Sequence, residues 1–213
     1  MKIYRSILIA GLGLCVALPA AAQYIGVLQS AETNDRGIFK IMVAPIMVFG
    51  KDGADDDLGI TARAGYGFTD GFDAEFKLGF FDIGTYVGAD GELWLVKARE
   101  RDAGLDASVA GGVHWILGKD NGPDIMGFDL APLASLHVSP KLELCGALTA
   151  AFESWDLPAG APAGADDSLT RLHLVPGFEY RLSESLDLVG EIGIALNDDS
   201  STYAGAGIAF YLR

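Results

Sequence analysis

Three histidines, at positions 114, 137 and 173, are the residues of this chain best suited to proton transfer or metal ligation. His137 stands two residues before Ser139, a pairing in which an imidazole could activate a hydroxyl as a nucleophile. His114 and His173, with Arg171, Glu153 and Glu179, would form a metal or catalytic cluster if the fold brought them together, and a buried polar network otherwise. Asp52, Asp55, Asp56 and Asp57 in KDGADDD, and Asp198 and Asp199 in NDDSS, are oxygen-rich stretches of the kind that hold calcium. Neither has the D-x-[DN]-x-[DN]-G spacing with a distal Glu, so solvated acidic loops are the better reading. The sequence has no Gly-rich phosphate loop, no CxxC pair and no G-x-S-x-G elbow.

What positions these groups is a pattern of period two. In LGITARAGYGF, Leu58, Ile60, Ala62, Ala64, Tyr66 and Phe68 share one face, and Arg63 lies on the other. In FDAEFKLGFF the apolar face is Phe72, Ala74, Phe76, Leu78 and Phe80, and the opposite face carries Asp73, Glu75 and Lys77. The same alternation sets His114 opposite Val113 and Trp115, Glu143 and Glu153 opposite Leu144 and Phe152, and Arg171, His173, Glu179 and Arg181 opposite Leu172, Leu174, Phe178 and Tyr180. Glu191 opposes Ile192 and Ile194. With GIFKIMVAPIMVF and the less regular YVGADGELWLVKA, the chain has about ten strands, many near the roughly 9–11 residues that cross a bilayer at a tilt. Pro132, which lacks a ladder N–H, is expected to mark a local defect.

The connections alternate as well. TDG, SPK and SES are short, whereas GKDGADDD, GKDNGPD, DLPAGAPAGADD and NDDSS are longer and acidic. Short turns at one end and long loops at the other, with the longer RERDAG link at the short-turn end as the exception, are the asymmetry of transmembrane barrels. The N-terminus reads MKIYRSILIAGLGLCVALPAAAQ, with Lys2 and Arg5 before an apolar run and Ala20 to Ala22 as a cleavage site, so residues 1–22 are expected to be a removed secretory signal. Cys15 leaves with it, and Cys145 alone cannot make an internal disulfide. The chain holds 15 Lys and Arg against 29 Asp and Glu, a net charge of −14 that becomes −16 once Lys2 and Arg5 are gone. A surface so acidic excludes nucleic acid as a partner.

Periodicity alone does not say whether the apolar face points to lipid or to an enclosed core. The aromatic residues Tyr66, Phe68, Phe80, Trp115, Phe128, Phe152, Tyr180 and Phe210 sit near strand ends, as interfacial girdles do. The opposite face carries charges of both signs, which can pair across a narrow lumen. The terminal YAGAGIAFYLR, with Gly207, Phe210 and Leu212, resembles the C-terminal assembly signal of bacterial outer-membrane β-barrel proteins, although Arg213 follows where that family commonly ends on an aromatic residue. His137-Val138-Ser139 is similar to the His-x-Ser of the outer-membrane lipid A deacylases, but Ser139 falls in the SPK turn, so an inward histidine beside a turn serine is the favoured reading.

The expected fold is all-β: a closed antiparallel transmembrane β-barrel of about ten strands, with eight to twelve compatible with the pattern. Residues 1–22 are its signal, 23–36 an N-terminal periplasmic segment and 37–213 the barrel. The resemblance implies a bacterial outer membrane location, with contacts to lipid, lipopolysaccharide and the barrel-assembly machinery; the oxygen-rich acidic loops are the candidates for divalent cations. The expected role is structural, small-solute passage or surface recognition, with no catalysis, no cofactor and no metal site. The competing readings are a lipid-modifying enzyme and a soluble periplasmic barrel with an apolar ligand inside. Arg63, Glu75, Lys77, His114, Glu143, Glu153, Arg171, His173, Glu179, Arg181 and Glu191 are the candidates for a lumen network.

Overall fold

The computed structural model describes residues 26–213, except 52, 99–103, 120–121 and 157–166. The signal expected over residues 1–22 lies outside the described residues, as do residues 23–25. Ten strands follow in order: β1 (Phe39–Val48), β2 (Asp57–Thr69), β3 (Phe72–Phe80), β4 (Gly84–Val96), β5 (Gly104–Gly118), β6 (Asp124–Ser139), β7 (Leu142–Asp156), β8 (Ser168–Ser183), β9 (Leu186–Ala195) and β10 (Tyr203–Leu212). Each is antiparallel to the next, and β10 pairs with β1, so the sheet closes on itself without an edge. The expected ten-stranded barrel forms, including β1 and β4, whose patterns are the least regular.

The alternation is oriented apolar side out. Leu58, Phe76 and Phe128 are 63%, 51% and 54% exposed, while Arg63, Lys77, Glu153 and Arg171 are buried. A barrel with that distribution would be insoluble in water and is stable in hydrocarbon, which overturns the soluble ligand-binding alternative. Aromatic side chains gather on the exterior at both rims: Tyr66, Phe68, Phe72, Tyr180 and Phe210 near one end, Phe80, Trp115, Phe128 and Phe152 near the other. Phe128 and Phe152 are cross-strand partners whose rings stack at 4.7 Å.

Prolines sit where the ladder tolerates them. Pro132 points outward and keeps its place opposite Val109 of β5, but pairing with β7 lapses at Ala131 and Pro132 and resumes in the same register. Pro45 and Pro176 behave alike, each losing pairs on one side only. The missing N–H explains the one-sided gap.

Asp70-Gly71, Pro140-Lys141 and Glu184-Ser185 are two-residue links at one end of the barrel, the turn end, and a register shift stands beside each. The opposite, loop end is not uniformly long. Phe81–Ile83 joins β3 to β4 in three residues, contrary to the expectation that every short connection falls at one end. Phe81 and Ile83 turn inward and pack on an apolar cluster of Met42, Ile46, Val48, Tyr86, Ile116 and Tyr203, so this link caps the mouth of the barrel.

The segment 23–36 was expected to stay outside the barrel. Its described residues instead lie inside the lumen: Val27, Leu28, Ser30, Ala31 and Thr33 are all buried. The wall makes room because Ala110, Ala131, Ala147 and Ala151 point inward with Leu133 and Val175, and Val27 and Ala31 fill the recess left by those small side chains.

Closure depends on the last strand, where Phe210, Tyr211 and Leu212 pair with Ile41, Lys40 and Phe39. Deleting Phe210–Arg213 is expected to abolish the compact, heat-modifiable form in gel electrophoresis, and normal assembly of that truncation would contradict the seam.

Candidate functional site

The lumen-seated segment is held chiefly by polar contacts. Leu28 has a φ of 43° and Gly26 a φ of 80°, and this left-handed backbone turns successive N–H groups to one side. The Val27 and Leu28 N–H groups donate to Oε1 and Oε2 of Glu191 at 2.9 and 2.5 Å. A side chain at position 26 would collide with the same carboxylate, its Cβ 2.3 Å from Oε1, so glycine is required for the clamp. Arg63 donates to the Val27 carbonyl and, at 3.2 Å, to Gln29 Oε1. Gln29 in turn donates to Glu92 at 2.9 Å. Lower in the lumen the Ala31 N–H meets Ser135 Oγ at 3.3 Å, and both the backbone and the side-chain amide of Asn34 donate to Asp73 at 2.7 Å. Gly67 permits the exit, since a Cβ there would lie 2.2 Å from the Asp35 carbonyl oxygen.

Of the residues singled out in the sequence, Arg63 pairs with Glu75, and Lys77 with Asp90. His114 Nδ1 lies 2.9 Å from Asp129 and its Nε2 3.4 Å from Glu153, whose other oxygen accepts from Arg171 Nε at 2.9 Å. Arg171 continues to the Asp199 carbonyl at 2.5 Å, and His173 donates from Nε2 to the Ser201 carbonyl at 3.0 Å. These contacts join β5, β6, β7 and β8 to the β9–β10 loop and draw that loop into the mouth. His114 and His173 thus serve a polar network with separate partners, and their geometry does not converge on one ion. Glu179 accepts from the Tyr211 hydroxyl at 3.2 Å, and Arg181 lies exposed at the rim.

The acidic loops are likewise committed to the chain. Asp56 accepts from the Gly50 N–H at 2.8 Å, Asp57 from Asp82 at 3.1 Å and Asp199 from Thr170 at 3.3 Å, while Asp198 pairs with Lys51 at 3.3 Å. Asp52 lies outside the described residues.

In the sequence the partner expected for His137 is Ser139. The Ser139 hydroxyl caps its own turn, accepting from the Lys141 and Leu142 N–H groups at 3.3 and 3.1 Å. His137 faces carboxylates: Nε2 is 3.0 Å from Asp106, 3.9 Å from Glu143 and 4.0 Å from Glu32 of the segment. The i,i+2 spacing in β6 shared by Ser135 and His137, both inward, was the available signal; that Glu32 would arrive beside them had no local one.

Burial, and then the negative charge of Glu143, pushes the Glu32 carboxyl up to about 7 from its ordinary 4.5; Asp106 and Glu179 add to the effect and His137 opposes it. Seated Glu32 therefore favours its proton more than it would in water. The seat is firmest below about pH 4.5, weakens as pH rises and reaches its weakest level above about pH 7. In chelator-treated buffer, amide protection factors over residues 30–34 are expected to fall by about tenfold to a hundredfold from pH 5 to 7.5, and Glu32→Gln to remove the dependence. Equal dependence in wild type and Glu32→Gln would contradict this assignment.

No family model matches the sequence, and no curated protein matches it. Among solved structures, an outer membrane channel from Pseudomonas putida F1 is similar at 9% identity, covering 90% of this chain and 100% of that one with a TM-score of 0.57. The KdgM porin, 8% identical over 82% of this chain and 99% of its own, gives a TM-score of 0.46. Acinetobacter baumannii Omp33, 12% identical over 86% and 100%, gives 0.41. At 9% identity the likeness to the channel is one of fold, and the fold is the transmembrane β-barrel of bacterial outer-membrane proteins.

Proposed function

We propose that the protein is an outer-membrane barrel whose lumen is a small-solute passage, closed by its own residues 27–34 and selective for cations when open. The carrying observation is the segment itself, threaded through the lumen and tied by a few hydrogen bonds to Glu191, Arg63, Glu92 and Asp73. Its apolar contact is small, limited to Val27 and Ala31 on an alanine-rich wall and Leu28 on the upper cluster. Such a closure can be undone without dismantling the barrel. The similarity to a chain described as an outer membrane channel supports the same reading.

Selectivity follows from the wall. Behind the segment Asp73, Glu75, Glu92, Asp106, Glu143, Glu153, Asp187 and Glu191 are buried, against Lys40, Lys77, Arg63 and Arg171. A pathway lined with excess carboxylate favours cations and repels anions. On this orientation the turn end faces the periplasm, the segment enters from that side, and the exterior contacts outer-membrane lipid and lipopolysaccharide after insertion by the assembly machinery. No catalytic role is assigned.

Planar-bilayer recordings test the proposal. Wild type is expected to stay mostly closed, and Glu191→Ala, which removes the acceptor of both clamp hydrogen bonds, to raise the open fraction by about tenfold to a hundredfold on the worth of one or two charge-assisted hydrogen bonds. Reversal potentials in a KCl gradient should show cation preference. Absence of conductance from both proteins across applied potentials would refute the passage.

A further inference from the structure

We infer that Glu32, His137 and Glu143, with Asp106 beside them, form a binding site for a divalent transition-metal ion that ties the lumen segment to the barrel wall at the turn end. The ligand atoms of Glu32, His137 and Glu143 all lie within 4.8 Å of one another. His137 Nε2 is 3.9 Å from Glu143 Oε1, 4.0 Å from Glu32 Oε2 and 3.0 Å from Asp106 Oδ2. Metal bonds to nitrogen and carboxylate oxygen of about 2.0–2.2 Å place neighbouring ligands about 3–4 Å apart, so small side-chain shifts suffice to close the set around one ion.

The second observation concerns Glu143. Its residue is 7% exposed, and Oε1, the oxygen turned toward His137, has no hydrogen-bond partner among the described residues. A buried carboxylate oxygen left without a donor is costly, and a cation at this position would satisfy it. The donors also indicate which metal. One imidazole nitrogen among carboxylates suits zinc and its neighbours, whereas calcium and magnesium favour all-oxygen sets. The imidazole would bind as the neutral ring through Nε2, the metal taking the place of the proton shared with Asp106.

The ligands come from different elements: Glu32 from the segment, Asp106 from β5, His137 from β6 and Glu143 from β7. Three belong to the fixed wall and one to the part that the proposed function requires to move. Metal binding itself does not depend on whether the lumen conducts, so the two proposals can fail separately.

The test is calorimetric titration of the full-length mature protein, folded in detergent, stripped with chelator and carrying no histidine tag, with zinc chloride. One ion per chain is expected, with at least tenfold weaker binding in Glu32→Gln and Glu143→Gln and loss of binding in His137→Gln. Asp198→Asn, on an exposed loop, should bind as wild type does. Heat-modifiable mobility establishes that each variant is folded. No saturable binding to wild type would overturn the site, as would unchanged affinity in folded Glu32→Gln and Glu143→Gln.

Discussion

The pairing of β1 with β10 is the constraint from which the rest of the structure follows. In hydrocarbon no water satisfies an exposed peptide group, so a sheet can cross only if it has no edge. Closure joins Phe39 to Leu212 and Val48 to Tyr203 and removes that edge. It also divides every strand into a face that meets lipid and a face that meets only the lumen. Ten strands enclose little space, so each inward side chain must find its partner among the other inward side chains or in something brought inside.

That second option is what the N-terminal segment supplies. Glu191 and Asp73 are buried acceptors that receive backbone N–H groups of Val27, Leu28 and Asn34, while Arg63 has a carbonyl of the segment to donate to. The dependence is mutual, because a backbone buried inside the barrel would otherwise carry unpaired N–H groups of its own. Segment and wall thus complete each other's hydrogen bonding. At the loop end the same demand is met differently: the His114–Glu153–Arg171 chain reaches the Asp199 carbonyl and draws the β9–β10 loop inward. The interior is therefore filled from both ends by pieces of chain as well as by side chains.

The barrel was legible in the sequence because period two is imposed by the lipid on every strand, whatever the local propensity. Leu58 to Phe68 and Phe72 to Phe80 display it directly, and YAGAGIAFYLR has the faces its pattern implied, with Tyr203 and Ala209 buried in the lumen and Phe210 exposed outside. Arg63, Glu75, His114, Glu153 and Arg171 were legible as an inward set for the same reason, although their pairing was not, since Lys77 meets Asp90 and His114 meets Asp129 across neighbouring strands. The segment was not legible. Val27 to Asn34 is short, small and without period, and its seat is created by alanines scattered over β5, β6 and β7 that mean nothing singly. His137 and Glu143 face each other from β6 and β7, and nothing in the sequence placed Glu32 beside them. The short Phe81–Ile83 link broke the rule of long outer loops because two apolar residues found burial inside the mouth.

The central claim is that residues 27–34 lie inside the closed barrel. Nuclear Overhauser contacts in detergent micelles test it most directly, with isotope labels on the segment amides and on the side chains of Glu191 and Ser135. The account predicts cross-peaks from the Val27 and Leu28 amides to the Glu191 side chain and from the Ala31 amide to Ser135, where the separations are 2.9, 2.5 and 3.3 Å between heavy atoms. Random-coil shifts for residues 27–34, with no contact to either wall residue in a folded barrel, would contradict it.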